Sequence, residues 1–272
     1  MRCYGFRLLP ITLFFIFHSV YAQQFTFVAP PFVPQVQAQR TYQSFVGYIN
    51  QVTENKFVFK SEPSWHAYLK NLRSGVYDLV FEEAHIVAWQ LKSQNYKPLV
   101  RLAGSSEVII LKNNQDRNIY SLSDLAGYTV CSSPAPRLSY ILLQSQFKNP
   151  HRQPIFNVVD GYSRMMQALY EHRCKAVALP LAVYALLDKK NKLAKTRIIF
   201  QSQPLPNWTF NASPRIPVSI TDQLTAALLS VEGQSKTQAL RNHFFSVDGL
   251  IDAQAEDYVE YASLLKNQWG FD

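Results

Sequence analysis

One arginine and two serines stand together where a predicted strand gives way to a predicted helix. Ser133, Arg137 and Ser139 follow the strand-like run Tyr128–Ser132, at the start of the helix expected over Arg137–Phe147. The first N–H groups of a helix lack intrahelical partners and carry partial positive charge, which favours an anion. The Arg137 guanidinium can pair with both oxygens of a carboxylate or a phosphate. We therefore expect an anion-binding turn here, the alternative being that Arg137 is a solvated surface residue.

A second polar group follows the predicted strand Asp78–Phe81. Glu83 and His85 stand there, after the end of a strand where open α/β sheets commonly bind ligands. A carboxylate at this place could hold an amino group of a ligand or neutralise Arg137. Glu83 and His85 are two residues apart, which matches no zinc motif, and a lone histidine can equally be a hydrogen-bonded structural residue.

Two aromatic residues also come shortly after predicted strands. Phe32 follows Phe25–Ala29, and Tyr184 follows Lys175–Leu179. Both are candidates to form a wall of the same ligand site, although aromatic residues at such positions can equally belong to the core.

Sequence motifs give no support to catalysis. The chain has no G-x-S-x-G, H-E-x-x-H, phosphate-binding P-loop or G-x-G-x-x-G pattern, and it has nine glycines in total. None of its histidines is paired at metal-ligand spacing. We therefore expect no catalytic residues, no metal site and no cofactor, with an enzyme kept as the weaker alternative because catalytic triads are defined in space.

The N-terminus has the layout of a secretory signal peptide. Arg2 and Arg7 precede an apolar run over Leu8–Val20 that is short for a membrane span, and Val20 and Ala22 suit the −3 and −1 positions of a cleavage site. Residues 1–22 are therefore predicted to be removed, and the mature protein to be periplasmic. The alternative is an uncleaved N-terminal anchor.

The charge balance is basic throughout. Lys and Arg number 27 against 19 Asp and Glu, so the net charge is +8, and it falls to +6 without residues 1–22. These cations are scattered and form no basic stripe with interleaved aromatics, so we expect no nucleic-acid partner. A basic field can still attract anionic solutes. The protein is expected to be a monomer.

The chain contains two runs in which strand-like and helix-like segments alternate, and this pattern predicts an α/β fold. The polar segment Asn113–Ile119 separates the two runs. We therefore predict two lobes, each a mainly parallel sheet flanked by helices: residues 23–112 and 204–272 in lobe 1, and 113–203 in lobe 2. The tail after Pro204 is expected to be mainly helical and to pack on the first lobe. The hinge is expected near Asn113–Ile119 and Gln201–Pro204.

Four segments, in order along the chain, resemble the phosphonate-binding periplasmic proteins of ABC transporters. They are Asp78–Phe81 with the helix after it, Tyr120–Val130, Gly161–Leu169 followed by Lys175–Ala178, and Ile198–Asn207. The resemblance implies a type 2 periplasmic-binding fold whose two lobes close on a solute. It also implies delivery of that solute to an ABC permease; a membrane signalling receptor is the alternative partner, because both uses rely on the same closure.

The chain departs from the family at one informative place. The family holds the phosphonate oxygens with a Ser-Thr-Ser-Gly turn, and the matching positions here are Pro136-Arg137-Leu138-Ser139. Two hydroxyls are replaced and an arginine is gained. The solute is therefore expected to be small and either anionic or zwitterionic, with a phosphonate-like, phosphate-like or carboxylate group.

The two cysteines of the mature chain fall in the second lobe. Cys131 lies in the Tyr128–Ser132 strand, and Cys174 precedes the Lys175–Leu179 strand. In the family these two strands are neighbours, and an even number of cysteines in an oxidising compartment favours a bridge. The alternative is two small buried thiols, because the two positions can be out of register.

Overall fold

The computed structural model describes residues 23–188, 195–246, 248–266 and 268–271. The predicted signal peptide lies outside the described residues. Thirteen strands and nine α-helices are present in the described part of the chain. The strands are β1 (Gln24–Val28), β2 (Lys56–Phe59), β3 (Leu79–Glu82), β4 (Lys97–Leu102), β5 (Ser105–Ser106), β6 (Val108–Asn113), β7 (Thr129–Ser132), β8 (Ile155–Val158), β9 (Ala176–Pro180), β10 (Thr196–Gln201), β11 (Leu205–Pro206), β12 (Thr209–Ala212) and β13 (Leu250–Asp252). The helices are α1 (Gln35–Thr53), α2 (Trp65–Arg73), α3 (Ala84–Gln94), α4 (Leu138–Ser145), α5 (Tyr162–Tyr170), α6 (Leu181–Asp188), α7 (Val218–Leu229), α8 (Val231–Lys236) and α9 (Gln238–His243).

The strands form two mixed sheets that are flanked by helices, so the α/β two-lobed prediction is confirmed. The six-stranded sheet has the order β13-β4-β12-β3-β1-β2, and the five-stranded sheet has the order β10-β6-β9-β7-β8. Parallel pairing joins β1 to β2 and β3, and β7 to β8 and β9. The strands β12, β13 and β6 pair antiparallel with their neighbours, so both sheets are mixed and not mainly parallel as predicted.

The core of the first lobe is formed by both ends of the chain. On α1, Tyr42, Phe45 and Ile49 are buried at helical spacing and pack on Phe27 of β1. Helices α7 and α9 add Leu224 and other apolar side chains to the same core. The tail therefore packs on the first lobe, as expected. It also contributes two strands, β12 and β13, to the first sheet, whereas the sequence predicted a mainly helical tail.

The crossing between the lobes lies earlier in the chain than the sequence suggested. Strand β6 pairs with β9 and β10 in the second sheet, so residues 108–112 do not belong to the first sheet. The segment Asn113–Ile119 begins at the last residue of β6 and lies beyond the crossing. The two crossings are the short strands β5 and β11, which pair antiparallel through Leu205 with Ser106 and Pro206 with Ser105. These two strands carry the chain between the sheets.

Helix α3 packs against both lobes. Its Ala84, Val87 and Ala88 lie in one apolar cluster with Leu138 and Leu142 of α4. The same helix packs on the 3-10 segment Val259–Leu265 near the end of the chain. The beginnings of α3 and α4, where the sequence placed the candidate site, are thereby brought together.

Cys131 and Cys174 form a disulfide within the second lobe, with 5.7 Å between their Cα atoms. Strand β7 pairs with β9, and Cys174 precedes β9 by two residues, so the register problem raised by the sequence does not arise. Both cysteines are fully buried among apolar side chains. The bond ties the start of β9 to the middle of β7.

Candidate functional site between the lobes

A cavity of about 410 Å³ lies between the two lobes. Its lining comes from the ends of strands, the starts of helices and the loop after α9. The lining residues that the argument uses are, from the first lobe, Phe32, Trp65, Glu83, Trp208, His243, Phe244, Ser246 and Asp248, and from the second lobe and the crossing, Ser105, Glu107, Arg137, Ser139, Asp160 and Tyr162. The volume suits a small organic molecule, since ligand pockets commonly measure about 300–1,000 Å³.

Four rings from the first lobe form an aromatic wall, by which we mean Phe32, Trp65, Trp208 and Phe244. The Phe32 ring centroid lies 5.3 Å from that of Trp65 and 5.4 Å from that of Trp208, and both pairs meet edge to face. Trp208 and Phe244 have centroids 4.5 Å apart. Each ring fixes its neighbours, so the wall offers a preformed apolar surface with π faces.

Arg137 is the residue before the first turn of α4, and its half-buried side chain reaches the aromatic wall. Its guanidinium carbon lies 4.2 Å from the Phe32 ring centroid. Its Nη2 donates a hydrogen bond of 3.0 Å to the hydroxyl of Tyr162. The Nε atom is buried and has no hydrogen-bond partner in the structure. The guanidinium is therefore held in place on one side and keeps donors for a ligand.

Gly161 lets Tyr162 reach Arg137. It has a φ of 89° just before α5, a left-handed conformation that strains other residues. The chain can therefore turn from the end of β8 directly into α5. The pKa of the Tyr162 hydroxyl is raised by burial, so this group stays neutral and can accept from Arg137.

Glu83 belongs to the first lobe but binds the start of a helix in the second. It precedes α3, yet its side chain makes no capping hydrogen bond to that helix. Instead its Oε2 accepts a hydrogen bond of 3.1 Å from the backbone N–H of Leu138, the first residue of α4. One of the N–H groups that the sequence assigned to a solute anion is therefore bound by the protein's own carboxylate.

Glu82 lies behind Glu83 and is fully buried. Its carboxyl group accepts a hydrogen bond from the Tyr68 hydroxyl and another, of 3.1 Å, from the backbone N–H of Glu83. Burial raises the pKa of Glu82 to about 8, although the hydrogen bond from Tyr68 opposes the rise. Glu82 is therefore largely protonated at neutral pH and adds little charge beneath the site.

His85 does not line the cavity. Its ring is fully buried between the lobes, and Nε2 donates to the carbonyl oxygen of Pro136 over 2.6 Å. Burial lowers the pKa of this histidine, which keeps it neutral with the proton on Nε2. His85 is thus a contact between the beginnings of α3 and α4, and its Nδ1 has no partner in the structure.

The other predicted residues divide between the cavity and the core. Phe32, Glu83, Arg137 and Ser139 line the cavity, and Ser139 is buried. Ser133 does not: it is buried at the end of β7, and its hydroxyl has no hydrogen-bond partner. Tyr184 packs against the apolar cluster around the disulfide, because the face of α6 that carries it turns away from the cavity.

Helix α4 also begins later than expected. Its first residue is Leu138, so Arg137 precedes the helix instead of beginning it. Arg137 is extended, with a ψ of 145°, which directs the chain into α4 from the turn after β7. The N–H groups of the first turn still face the region between the lobes, as the contact with Glu83 shows.

The charges around the cavity are mainly negative. Among the described lining residues, Arg137 is the one with a permanent positive charge, and it is accompanied by the carboxylates of Glu83, Glu107, Asp160 and Asp248. Glu107 accepts from Ser105 and from Gln201, and Asp160 pairs with Arg164 over 3.2 Å. Burial lowers the pKa of His243, which keeps it neutral.

Within the described residues, no group of three or more His, Cys, Asp and Glu side chains is arranged to hold a metal ion. The described helices also include none that is both long and apolar enough to cross a membrane.

Comparison with known proteins places this architecture in a family. The profile of the periplasmic substrate-binding proteins of phosphonate ABC transporters matches residues 27–258, which is most of the chain. The chain belongs to this family. Members of the family are substrate-binding proteins rather than enzymes, they work in the periplasm, and they have small-molecule ligands and membrane permeases as partners. No curated protein sequence matches the chain.

Solved structures resemble this binding protein in fold at low sequence identity. The protein XAC2383 of Xanthomonas citri, bound to ATP, has a TM-score of 0.72 at 16% identity, covering 89% of this chain and 97% of the other. PhnD1 of Prochlorococcus marinus, in complex with methylphosphonate, has a TM-score of 0.69 at 13% identity, with 90% and 98% covered. A binding protein component of an ABC phosphonate transporter from Pseudomonas aeruginosa has a TM-score of 0.64 at 10% identity, with 90% and 86% covered. The predicted type 2 periplasmic-binding fold is confirmed.

Several lining residues were missed by the sequence analysis, and they fall into two kinds. Tyr162 and Trp208 stand in segments that carry the family resemblance or directly follow them, so they were within reach of the same reasoning as Arg137. Trp65 and Phe244 come from the start of α2 and the end of α9, which are distant in sequence from the rest of the site. An apolar aromatic residue in a helix gives no signal that separates a cavity wall from a core.

Proposed function

We propose that this binding protein captures a small anionic or zwitterionic solute between its lobes and delivers it to an ABC importer. The observation that carries the proposal is the cavity itself. It is lined from both lobes, and Arg137, with a buried Nε that lacks a partner, reaches it from the second lobe. A solute that contacts both lobes favours the closed arrangement of the molecule over the open one.

Arg137 is the residue proposed to bind the anionic group of the solute. Charge-assisted hydrogen bonds of this kind contribute on the order of 1.5–3 kcal/mol each. The aromatic wall would pack against the apolar body of the solute, and the carboxylates around the cavity would accept from an ammonium group. Two or three such bonds together with ring contacts suffice for micromolar affinity, about −8 kcal/mol, after the entropic cost of association.

Closure would occur by rotation about β5 and β11. These are the two short strands that join the sheets, and they pair through Ser105, Ser106, Leu205 and Pro206. Ser105 and Ser106 line the cavity, so the hinge lies directly beside the bound solute. A permease can then recognise the closed form, in which both lobes present fixed surfaces.

We propose that the signal peptide is cleaved after Ala22 during export, so that the mature protein begins at Gln23. The mature protein is proposed to act as a monomer in the periplasm. N-terminal sequencing of periplasmic protein checks the cleavage. Retention of Met1 in that preparation would show that the segment is an anchor instead.

The proposal is tested by native mass spectrometry of protein purified from periplasm, which would detect a co-purified small solute. Calorimetry with that solute should then give micromolar affinity, and no product should form from it. Uptake of the labelled solute should fail in cells that lack the protein and return when the gene is restored. Normal uptake without the protein, despite tight binding, would favour the sensing role, and chemical turnover would overturn the binding-only role.

A further inference from the structure

The hydrogen bond from Leu138 to Glu83 has a consequence for the kind of anion that fits. The first turn of α4 is the place where a helix N-terminus faces the region between the lobes, and Glu83 Oε2 accepts from its first N–H at 3.1 Å. A carboxylate at a helix N-terminus is stabilised by the partial charge of that end. The protein's own side chain therefore takes the position that suits an external anion best.

Glu83 is well fixed in this position. Its backbone N–H donates to the buried carboxyl group of Glu82 over 3.1 Å, which anchors the residue at the end of β3. Two residues later, His85 binds the carbonyl oxygen of Pro136 and joins the same two chain segments. Displacing the Glu83 carboxylate would break a contact between the lobes as well as vacate the helix end.

The remaining charges around the cavity also disfavour a doubly charged anion. Glu107 and Asp248 add carboxylates to the lining, and Asp160 adds one that pairs with Arg164, whereas Arg137 alone among the described lining residues has a permanent positive charge. A doubly charged head group would have one guanidinium for two negative charges. It would also lie close to Glu83, and like charges repel strongly where water is scarce.

We propose that Glu83 is a specificity-determining residue that excludes phosphonate and phosphate dianions, so that the solute's anionic group is singly charged and binds Arg137. This inference rests on the proposed function, since it concerns the ligand of the same cavity. It sets this chain apart from the ligand class by which its family is described.

The test is isothermal titration calorimetry with methylphosphonate on three forms of the mature protein, at a pH above the second pKa of methylphosphonate, where the dianion prevails. The unchanged protein should give no binding heat at millimolar methylphosphonate. Glu83→Ala frees the Leu138 N–H and removes a negative charge, so its affinity should exceed that of the unchanged protein by about tenfold or more. Glu83→Gln removes the charge but keeps an oxygen for Leu138, so its gain should be smaller.

Glu107→Gln is the matched control. It removes one carboxylate from the same cavity and keeps an oxygen that can accept from Ser105, but it leaves the start of α4 unchanged. Its gain should stay within about threefold, because only the general charge is altered. A gain equal to that of Glu83→Ala would show that net charge, and not the position of Glu83, controls selection. Circular dichroism and unfolding midpoints verify that each variant is folded.

Two further results would overturn the inference. The unchanged protein would bind methylphosphonate as tightly as Glu83→Ala, or Glu83→Ala and Glu83→Gln would both be folded and gain nothing. The co-purified solute, titrated in parallel, separates this inference from the proposed function. If the unchanged protein does not bind the solute while Glu83→Ala gains affinity for methylphosphonate, the exclusion stands and the proposed function fails. If the unchanged protein binds the solute while Glu83→Ala gains no affinity for methylphosphonate, the proposed function stands and the exclusion fails.

Discussion

The guanidinium of Arg137, in the second lobe, stacks on the ring of Phe32, in the first, with 4.2 Å between the guanidinium carbon and the ring centroid. The contact crosses the cavity, so the principal cation of the site is positioned by the opposite lobe. Stacking uses the face of the guanidinium plane, and the N–H donors lie on its edge, where Nη2 binds Tyr162 and Nε has no partner in the structure. Arg137 can therefore stack on Phe32 of the other lobe and donate hydrogen bonds to a solute at the same time.

Substitution of Arg137 should weaken solute binding strongly. We expect Arg137→Ala to lower affinity for the co-purified solute by about tenfold or more, because a charge-assisted pair in a partly buried site is lost. Arg137→Lys should fall in between, since it keeps the charge but loses the flat group that stacks on Phe32. Calorimetry measures both.

Arg152→Ala is the control for that experiment, because Arg152 is exposed and does not line the cavity. Its affinity should equal that of the unchanged protein. An Arg137→Ala protein that binds equally well would remove Arg137 from the site.

Solute binding should change the tryptophan fluorescence of the protein through the aromatic wall. Trp65 and Trp208 line the cavity, whereas the Trp269 side chain is 80% exposed and lies outside it. Trp208→Phe should therefore lose much of the signal that the solute produces, and Trp269→Phe should keep it. The measurement is emission at increasing solute concentration; equal signals from the two variants would place the solute away from the wall.

The disulfide should contribute strongly to the stability of the second lobe. Cys131 and Cys174 are 43 residues apart, and closing a loop of that length stabilises a protein by about 3–4 kcal/mol through the unfolded state. The double variant Cys131→Ala with Cys174→Ala should lose about that free energy of unfolding in urea. Two free thiols in the denatured, unreduced protein would contradict the bond itself.

The contribution of Glu82 to the stability of the protein should fall as the pH rises from about 5 to about 8. Burial raises the pKa of Glu82 from its ordinary 4.5 to about 8 in the folded state. Between these values the folded state holds a proton on Glu82 that the unfolded state has released, so this contribution falls with pH and levels off above 8. The lowered pKa values of His85 and His243 act in the opposite direction below about 6.5, so a variant is needed to isolate Glu82. Denaturant unfolding at several pH values measures the slope.

Glu82→Gln isolates the contribution of that one carboxyl group. Its amide oxygen can accept from the N–H of Glu83 while its NH2 donates to the Tyr68 hydroxyl oxygen, so both contacts can persist without a proton to release. The free energy of unfolding should therefore fall less with rising pH in Glu82→Gln than in the unchanged protein. In Glu256→Gln, whose carboxyl group is exposed, the pH dependence should be unchanged. An equal slope in all three proteins would mean that Glu82 is ionised throughout.

The sequence predicted the general architecture because strand and helix patterns alternate clearly in both lobes. It missed β12 because Thr209–Ala212 is a short segment with an asparagine in it, and that asparagine is accommodated inside by a hydrogen bond to Gln90 from a distant helix. It assigned 108–112 to the first lobe because an apolar strand can pair in either sheet. Only the pairing with β9 decides between them.

The site was partly predictable for a related reason. Glu83 follows β3 directly and Arg137 lies in the turn between β7 and α4, and the ends of strands in an open α/β sheet meet at the ligand cleft. Tyr184 satisfied the same rule but lies on a face of α6 that packs against the second-lobe core. What the sequence could not contain is the hydrogen bond between Glu83 and Leu138, since it joins residues of two lobes through the way α3 and α4 pack.

The position of β12 also determines when the first sheet can finish folding. This strand lies between β3 and β4, yet the whole second lobe separates it from β4 along the chain. A chain that emerges N-terminus first therefore presents β3 and β4 before the strand that joins them has appeared. The second lobe is one continuous segment and can form meanwhile, so the facing edges of β3 and β4 stay unpaired until β12 has appeared.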